Sequence, residues 1–268
     1  MLLRPPHQDF GILRQPYANP VPVEDVAIET EITLQQDLTF NVNGVTFRMK
    51  YVEGGTFMMG APDDDSEALD SERPRHSVTL DSYYIAETQV TQELWQAVMG
   101  NNPSHFKGDI HRPVETVSWN DCQEFIKKLN RFTGKKFSLP TEAQWEYAAR
   151  GGKKSKGYKF SGSNSLGDVA WYGEGWDTGS THPVAQKQAN ELGLYDMSGN
   201  VWEWCQDWYS NYACFVQNNP QGPSSGTYRV LRGGAWLNEP RNSRVSYRGF
   251  SNPDRCFINR GLRLSLPV

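Results

Sequence analysis

Cysteine is scarce in this chain of 268 residues, and its four copies, Cys122, Cys205, Cys214 and Cys256, stand far apart. They form no C-x-x-C pair and no histidine follows them at zinc spacing, which favours free thiols over a structural metal site. A disulfide between Cys205 and Cys214 stays open as an alternative, but only for an oxidising compartment.

An excess of positive charge and a long hydrophobic run are also lacking. The formal net charge is −4, so the chain has no general attraction for phosphate backbones and nucleic acid is not an expected partner. No apolar run approaches the roughly 18 residues that a membrane span needs, and the first residues contain no signal-peptide segment. We expect no membrane span, while localisation stays open, with display on a cell surface or a phage particle among the options.

Aromatic residues, glycine and proline are plentiful. Phe, Trp and Tyr make up 12% of the chain, with 24 Gly and 16 Pro, which indicates an irregular, loop-rich α+β domain anchored by large side chains. Residues 1–24 carry several prolines and no sustained period, which predicts an extended arm or linker before a single domain over residues 25–268. Asn43-Gly44 between alternating runs predicts a hairpin, and residues 73–80 with 83–85 predict a further strand pair.

Capping residues and apolar spacing predict three helices. The first begins after Thr91 and ends at Gly100, and the third begins after Thr141. The second helix, capped by Ser118 or Asn120, should bury a stripe formed by Cys122, Phe125, Ile126 and Leu129.

Beyond residue 152 long stretches have no helical or strand period, and loops of that length are usually functional or stabilised by an ion.

Two kinds of sequence are interleaved in the stretch over about 232–264. The frame reads RGGAW from Arg232 and GLRLSL from Gly261, where glycine allows a tight corner and the apolar residues follow a buried strand. The residues between follow neither the helical nor the strand period, and they combine aromatic side chains with the Asn, Gly and Pro content of loops. This alternation indicates that the stretch over about 232–264 contains the functional site.

Several motifs carry a family resemblance. GLYDMSGNVWEWCQDW from Gly193, together with LPTE from Leu139 and VLRGG from Val230, resembles the formylglycine-generating enzyme, or sulfatase-modifying factor, family. The resemblance covers roughly residues 45–264. It implies a C-type-lectin-like fold with small antiparallel sheets, a few helices and many loops.

The resemblance also implies a structural calcium ion at the GNVWEW turn. Asp196 and Glu203 would offer carboxylate oxygens, and backbone carbonyls near Gly199 and Val201 would complete an oxygen shell, as calcium prefers. An acidic turn whose carboxylates only cap the backbone is the competing interpretation. A second calcium ion near Asp168 and Asp177 is a weaker expectation.

Members of this family that oxidise a sulfatase cysteine are expected to carry a thiol pair soon after the RGGAW-like corner. Here Leu237-Asn238-Glu239 follows the corner, and Asn242-Ser243 stand where the partner thiol is expected. The five histidines are dispersed rather than clustered as in the iron site of other relatives. We therefore expect no redox cofactor and no catalysis, with a modifying oxidase of the same family as the alternative.

The frame more closely resembles the variable region of diversity-generating retroelement target proteins. In those proteins, residues between frame segments are rewritten by error-prone copying of template adenines, so that asparagine codons cannot become Trp, Met, Gln, Lys or Glu codons. These five types account for 56 of the 268 residues, so residues 237–260 should hold about five at that composition. They hold one, Glu239.

We call the candidate variable residues the display set and expect them to face a protein or glycan ligand, with aromatic anchors among small polar residues as in antibody paratopes. Core packing is the competing interpretation for the aromatic and aliphatic members. Glu239, Arg255 and Arg260 stay open between display and frame, whereas the other arginines of this stretch are expected to support the frame. The display set comprises Leu237, Asn238, Tyr247, Gly249, Phe250, Ser251, Asn252, Cys256, Phe257, Ile258 and Asn259.

Overall fold

The computed structural model of the chain describes residues 36–268, and the predicted arm over residues 1–24 lies outside them. Eleven short strands and four α-helices are formed in the described residues. The helices are α1 (Gln92–Met99), α2 (Trp119–Thr133), α3 (Glu142–Ala149) and α4 (Leu166–Val169). The strands are β1 (Leu38–Val42), β2 (Val45–Val52), β3 (Gly55–Met59), β4 (His76–Leu80), β5 (Tyr83–Ala86), β6 (Trp202–Trp208), β7 (Gln217–Asn218), β8 (Arg229–Arg232), β9 (Gly249–Ser251), β10 (Arg260–Leu262) and β11 (Ser265–Pro267).

The strands form three small sheets with the orders β1-β2-β5-β11, β10-β6-β8-β9 and β3-β4-β7. Most neighbours are antiparallel, and the pairs β10–β6 and β4–β7 are parallel. The hairpin at Asn43-Gly44 is confirmed, because both residues have a positive φ, of 51° and 89°, as a tight two-residue turn requires. The prediction that residues 73–80 pair with 83–85 is wrong, since β4 and β5 belong to different sheets.

The three predicted helices are confirmed at their caps. The hydroxyl of Thr91 accepts a hydrogen bond from the amide of Leu94, and α1 ends at Gly100 with a left-handed φ of 83°. Ser118 caps α2, whose buried residues are the four that the spacing predicted, and Thr141 caps α3. No helix between residues 36 and 268 combines the length and the apolar character needed to cross a bilayer.

Large aromatic side chains fill the core, as the composition indicates. Trp204 and Trp236 are fully buried in a cluster with α1, α2 and the first sheet, and Trp145 is fully buried in a second cluster with β3, β4 and α3. A loop over residues 170–201 reaches the RGGAW corner through backbone hydrogen bonds, from Gly199 N to Gly233 O and from Trp236 N to Asn200 O. The corner therefore organises part of the long stretch that lacks a sequence period.

Candidate ligand-binding surface

The RGGAW corner is a tight turn that only glycine tolerates. Gly233 and Gly234 have φ values of 96° and 74°, in the left-handed region where other residues are strained. A Cβ on Gly234 would lie 2.7 Å from the hydroxyl of Ser243. The backbone approaches the next segment of the frame too closely for a side chain, so this part of the terminal stretch is fixed in shape.

Four arginines of the frame are buried and paired with carboxylates far away in sequence. Arg232 donates to Glu146 at 2.6 Å, and Arg248 donates to both oxygens of Glu142 at 2.6 and 2.7 Å. These pairs are charge-assisted and, for Arg248, bidentate, which fixes both distance and orientation. They attach β8 and the segment just before β9 to α3.

The other two buried arginines extend this attachment to further parts of the chain. Arg244 donates to both oxygens of Glu72 at 2.7 and 2.8 Å and to Asp65 at 3.0 Å. Arg263 donates to both oxygens of Glu203 at 2.8 and 3.0 Å. The expectation that these arginines support the frame therefore has a geometric basis in buried, multiply bonded ion pairs.

The display residues differ in exposure. Phe250 and Phe257 are 50% and 45% exposed, and Cys256 is exposed beside Phe257. Ser251, by contrast, is buried, with 9% of its surface exposed. The half-buried members are Leu237, Asn238, Tyr247, Gly249, Asn252, Ile258 and Asn259.

Gly249, Phe250 and Ser251 form a strand, β9, although the sequence predicted an irregular segment. Strand β9 lies at the edge of its sheet and pairs with β8 in antiparallel register. Neighbouring residues of a strand point to opposite faces, so Phe250 lies on one face and its two neighbours on the other. The periodicity was hidden because a strand of three residues is too short to repeat it.

Phe250 belongs to an exposed aromatic group at this sheet edge. Its ring centroid lies 4.6 Å from that of Tyr209 and 5.1 Å from that of Tyr228, and Tyr228 is 42% exposed. The two tyrosines come from segments that flank β6 and β8, outside the terminal stretch. Sequence reasoning missed them, because nothing in their local pattern distinguishes them from core tyrosines.

The opposite face of β9 is closed by the side chain of Trp202. A Cβ on Gly249 would lie 3.2 Å from the indole ring, and the ring centroid of Tyr247 lies 5.9 Å from it. Tyr247, Leu237 and Ile258 all pack against the core cluster that contains this indole. These residues are thus shared between surface and core, which leaves both interpretations of them open.

Two arginines stack on aromatic rings next to Ser251. The guanidinium of Arg229 lies 3.8 Å from the ring centroid of Trp119 and 3.5 Å from that of Trp208. The guanidinium of Arg260 lies 4.0 Å from the ring centroid of Phe257 and donates to the hydroxyl of Ser251 at 2.7 Å. Sequence reasoning did not single out Arg229, Trp119 or Trp208, because they meet only in the tertiary structure.

Four oxygens converge at the turn for which calcium was predicted. The side-chain nitrogen Nε2 of Gln89 lies among them, 3.2 Å from Asp196 O, 3.4 Å from Gly199 O, 2.9 Å from Val201 O and 3.0 Å from Glu203 Oε1. The turn thus brings together all four predicted residues. It contributes the carbonyl of Asp196 rather than its carboxylate, which accepts a hydrogen bond from Ala185 N at 2.8 Å.

The donor set fits a cation, subject to one rearrangement. Carbonyl and carboxylate oxygens are the ligands that calcium prefers, and Oε1 of Gln89 is buried with no hydrogen-bond partner among the described residues. Turning the Gln89 amide over would replace its nitrogen by this oxygen and so add a fifth oxygen to the set. Arg263 disfavours a bound cation, because its guanidinium already forms an ion pair with Glu203.

The second, weaker calcium expectation receives no such convergence. The carboxylate of Asp168 accepts a hydrogen bond from Ser163 at 3.1 Å, and Asp177 is exposed in a turn. Between residues 36 and 268, no three His, Cys, Asp or Glu side chains group as metal ligands. All four cysteines are free, with Cys205 buried and Cys214 exposed, so the alternative of a disulfide between them is not formed here.

The chain belongs to the family described by the sulfatase-modifying factor enzyme 1-like domain, whose model matches residues 39–266. Among solved structures it is similar to Treponema denticola variable protein 1, with 35% identity, a TM-score of 0.80, and coverage of 87% of this chain and 99% of that one. The predicted α+β fold of the formylglycine-generating type is confirmed by these matches.

Two relatives show how varied the names in this family are. The chain is 36% identical over 262 residues to the chaperone protein LppX of Paenibacillus barcinonensis, covering 80% of this chain and 87% of the relative. It is 32% identical over 277 residues to the formylglycine-generating enzyme of Streptomyces coelicolor, covering 78% and 86%. Relatives thus include enzymes and a variable protein, so family membership alone does not decide whether this chain is a catalyst.

Proposed function

We propose that this protein is a non-catalytic binding protein that displays a diversified surface for a protein or glycan ligand, as a diversity-generating retroelement target. The observation that carries the proposal is the division of the terminal stretch. Its frame is held by buried ion pairs of Arg232, Arg244, Arg248 and Arg263, while Phe250 and Phe257 between them are half exposed. Large apolar side chains kept at a surface are typical of recognition sites.

The likeness to a variable protein supports this proposal, since it has 35% identity over most of both chains. Rigid frames favour binding because less conformational freedom is lost when the ligand is bound. Two exposed aromatic positions, at Phe250 and Phe257, provide the water-excluding anchors, and the polar members around them add complementarity.

The alternative function is a modifying oxidase, as the names of several relatives suggest. It is disfavoured by the residues at the corner, because Leu237, Asn238 and Ser243 cannot act as thiolate ligands of a soft metal. Cys256 is an exposed free thiol with no second cysteine beside it in the described structure.

Incubation with a cysteine-containing sulfatase peptide, copper and oxygen tests this choice. We expect no conversion of the peptide thiol to an aldehyde by mass spectrometry, with a formylglycine-generating relative as the positive control. Turnover dependent on the protein would overturn the proposal. Gene sequences from natural populations provide the complementary test: differences should concentrate in the codons of the display set and match adenines in a nearby template repeat.

Calcium at the GNVWEW turn is part of the proposal. The residues that would hold it are the carbonyls of Asp196, Gly199 and Val201 and the carboxylate of Glu203, with the Gln89 amide as the adjustable member. A bound cation would stabilise the turn that hydrogen-bonds to the RGGAW corner, and so would keep the frame rigid. The ion would have no role in a reaction.

A further inference from the structure

Two arginines in the described structure differ from the buried, paired ones of the frame. Arg229 and Arg260 form no ion pair among residues 36–268, although both are partly buried. Burial lowers the pKa of Arg260 to about 10, and burial also lowers the pKa of Arg229, although the nearby carboxylate of Asp207 opposes that shift. A partly buried cation that forms no ion pair costs stability unless another group pairs with it.

Both arginines lie on the same face of the sheet, with Ser251 between them. Arg229 on β8 is the register partner of Ser251 on β9, and Arg260 on β10 donates to the Ser251 hydroxyl at 2.7 Å. On the other side, Arg229 is the register partner of Trp208 on β6. The two cations are therefore positioned by strands β8 and β10 of one sheet rather than by mobile loops.

The hydrogen-bonding capacity of both guanidinium groups is largely unused. Arg229 donates from Nη1 to the carbonyl of Gln206 at 2.6 Å, and its Nε is buried without a partner among the described residues. Within residues 36–268, Arg260 donates from Nη1 alone, to the hydroxyl of Ser251. A guanidinium has five N–H donors whose planar arrangement matches a carboxylate.

We propose that Arg229 and Arg260 form a carboxylate-binding subsite beside the display set, which binds an acidic peptide segment of a protein partner. This inference rests on the proposed binding function and names the chemistry of one part of its ligand. Arg229 lies outside the diversified stretch and would be the same in every variant, whereas the neighbouring residues of the display set would differ between variants. Variants of the protein would then share an anchor for a Glu or Asp side chain while the display set selects the sequence around it.

The stacking geometry favours an acidic peptide over a sugar. The guanidinium of Arg229 covers one face each of Trp119 and Trp208, which are the faces that a sugar ring would otherwise contact. Because Nε is buried and Nη1 bonds to Gln206, the Nη2 end of the guanidinium is left to donate to a carboxylate. Phe257, 45% exposed beside Arg260, would cover the methylene groups of a Glu side chain.

Long-range attraction does not account for such binding, because the chain carries a net charge of −4. The experiment therefore compares the contribution of Arg229 and Arg260 to binding with that of an arginine elsewhere on the surface. Binding of a hexaglutamate peptide, of hexaglutamine and of polygalacturonate is measured by calorimetry for the wild type and for Arg229→Gln, Arg260→Gln and Arg255→Gln. Arg255 is the matched control, since it is exposed and follows Asn252 in the same loop without an ion pair in the described residues.

We expect hexaglutamate to bind and hexaglutamine not to bind. Arg229→Gln and Arg260→Gln should each weaken the complex by about tenfold, the effect of losing a charge-assisted hydrogen bond, and Arg255→Gln by less than about twofold. An equal loss in all three variants, no binding of hexaglutamate, or arginine-dependent binding of polygalacturonate alone would overturn the inference. Because Arg229 also contacts two tryptophans, melting curves accompany each variant, and Arg260→Gln, which loses one hydrogen bond, provides the result if Arg229→Gln unfolds.

The outcome is separable from that of the proposed function. Peptide oxidation together with arginine-dependent binding of hexaglutamate would refute the binding-protein proposal and leave the subsite in place. No oxidation together with loss of arginine dependence would refute the subsite alone.

Discussion

At the residue scale, the display set divides by what each side chain contacts. Phe250 and Phe257 reach solvent, whereas Gly249 lies against Trp202 and Ile258 packs on the core. A residue that faces solvent can change with little effect on folding, and one that fills a core cannot. If these sites are diversified, as proposed, the scaffold limits the changes that each of them tolerates unequally.

Replacing Phe250 or Phe257 by Ser should change the free energy of unfolding by less than about 1 kcal/mol, because much of each ring is already in water. Replacing Ile258 by Ala should cost about 2 kcal/mol, since it removes methylene groups that pack on the core. Urea denaturation measures all three variants. A loss for Phe257→Ser as large as that for Ile258→Ala would show that the phenylalanine is structural.

Asp207 makes the stability depend on pH. Burial and then the negative charge of Glu142 raise the pKa of Asp207 to about 7, against about 3.9 for an exposed aspartate. Between these values the folded chain holds a proton that the unfolded chain has released. This contribution therefore favours the folded state at low pH and is lost as the pH rises through about 7.

Asp207→Asn should remove that contribution, so the decline in unfolding free energy between about pH 4.5 and 7.5 should become shallower than in the wild type. Urea titrations at several pH values measure it. Asp254→Asn, an exposed aspartate that accepts a hydrogen bond from Asn120, is the control for general charge. A steeper decline in Asp207→Asn would contradict the assignment.

At the element scale, ion pairs connect short elements that have little hydrophobic area of their own. Strands β8, β9 and β10 contain three or four residues each, too few to be stable alone. Arg232 and Arg248 attach β8 and β9 to α3, and Arg244 attaches the segment before β9 to the loop around Glu72. Arg263 attaches the segment after β10 to Glu203 of β6. This arrangement holds the frame independently of the residues displayed on it.

Arg244→Met should destabilise the protein by about 3–5 kcal/mol, because it leaves the fully buried carboxylate of Glu72 without its partner. The double variant Arg244→Met/Glu72→Leu should be less destabilised than the single one, since no unpaired charge stays buried. Arg241→Met is the matched control at an exposed ion pair, with an expected change below about 0.5 kcal/mol. Thermal and chemical denaturation of the wild type and these three variants measures the differences, and equal effects at residues 241 and 244 would contradict the prediction.

At the scale of the whole molecule, the GNVWEW turn lies where several parts of the chain meet. Gln89 reaches it from the segment between β5 and α1, Arg263 from the segment between β10 and β11, and Trp145 from α3. A cation bound there would add stability to all of them together, in proportion to its concentration relative to its dissociation constant.

Chelation should therefore lower the melting temperature, and calcium should restore it. Gln89→Glu should destabilise the calcium-free protein, because a carboxylate would replace an amide among four oxygens, and should strengthen calcium binding. Calorimetric scans with chelator and with calcium measure both proteins. If neither protein responds to calcium, the Gln89 amide and Arg263 suffice to neutralise the turn, and the calcium proposal is wrong.

Much of the architecture was determined by the sequence itself, where the decisive interactions are local. The caps Thr91, Ser118 and Thr141, the Asn43-Gly44 hairpin and the glycines of the corner each fix backbone geometry within a few residues. The division of the terminal stretch into frame and display segments is also a prediction from the chain sequence alone.

Which display residues reach solvent, and which distant groups join them, follows from tertiary packing. Burial of Ser251, the contact of Gly249 with Trp202 and the stack of Arg229 between Trp119 and Trp208 all depend on strands that are remote in sequence. The carboxylate partners of the buried arginines, such as Glu72 for Arg244, could not be assigned either. Charge pairing has no sequence period, because it depends on where the folded chain brings the two groups rather than on how they are spaced.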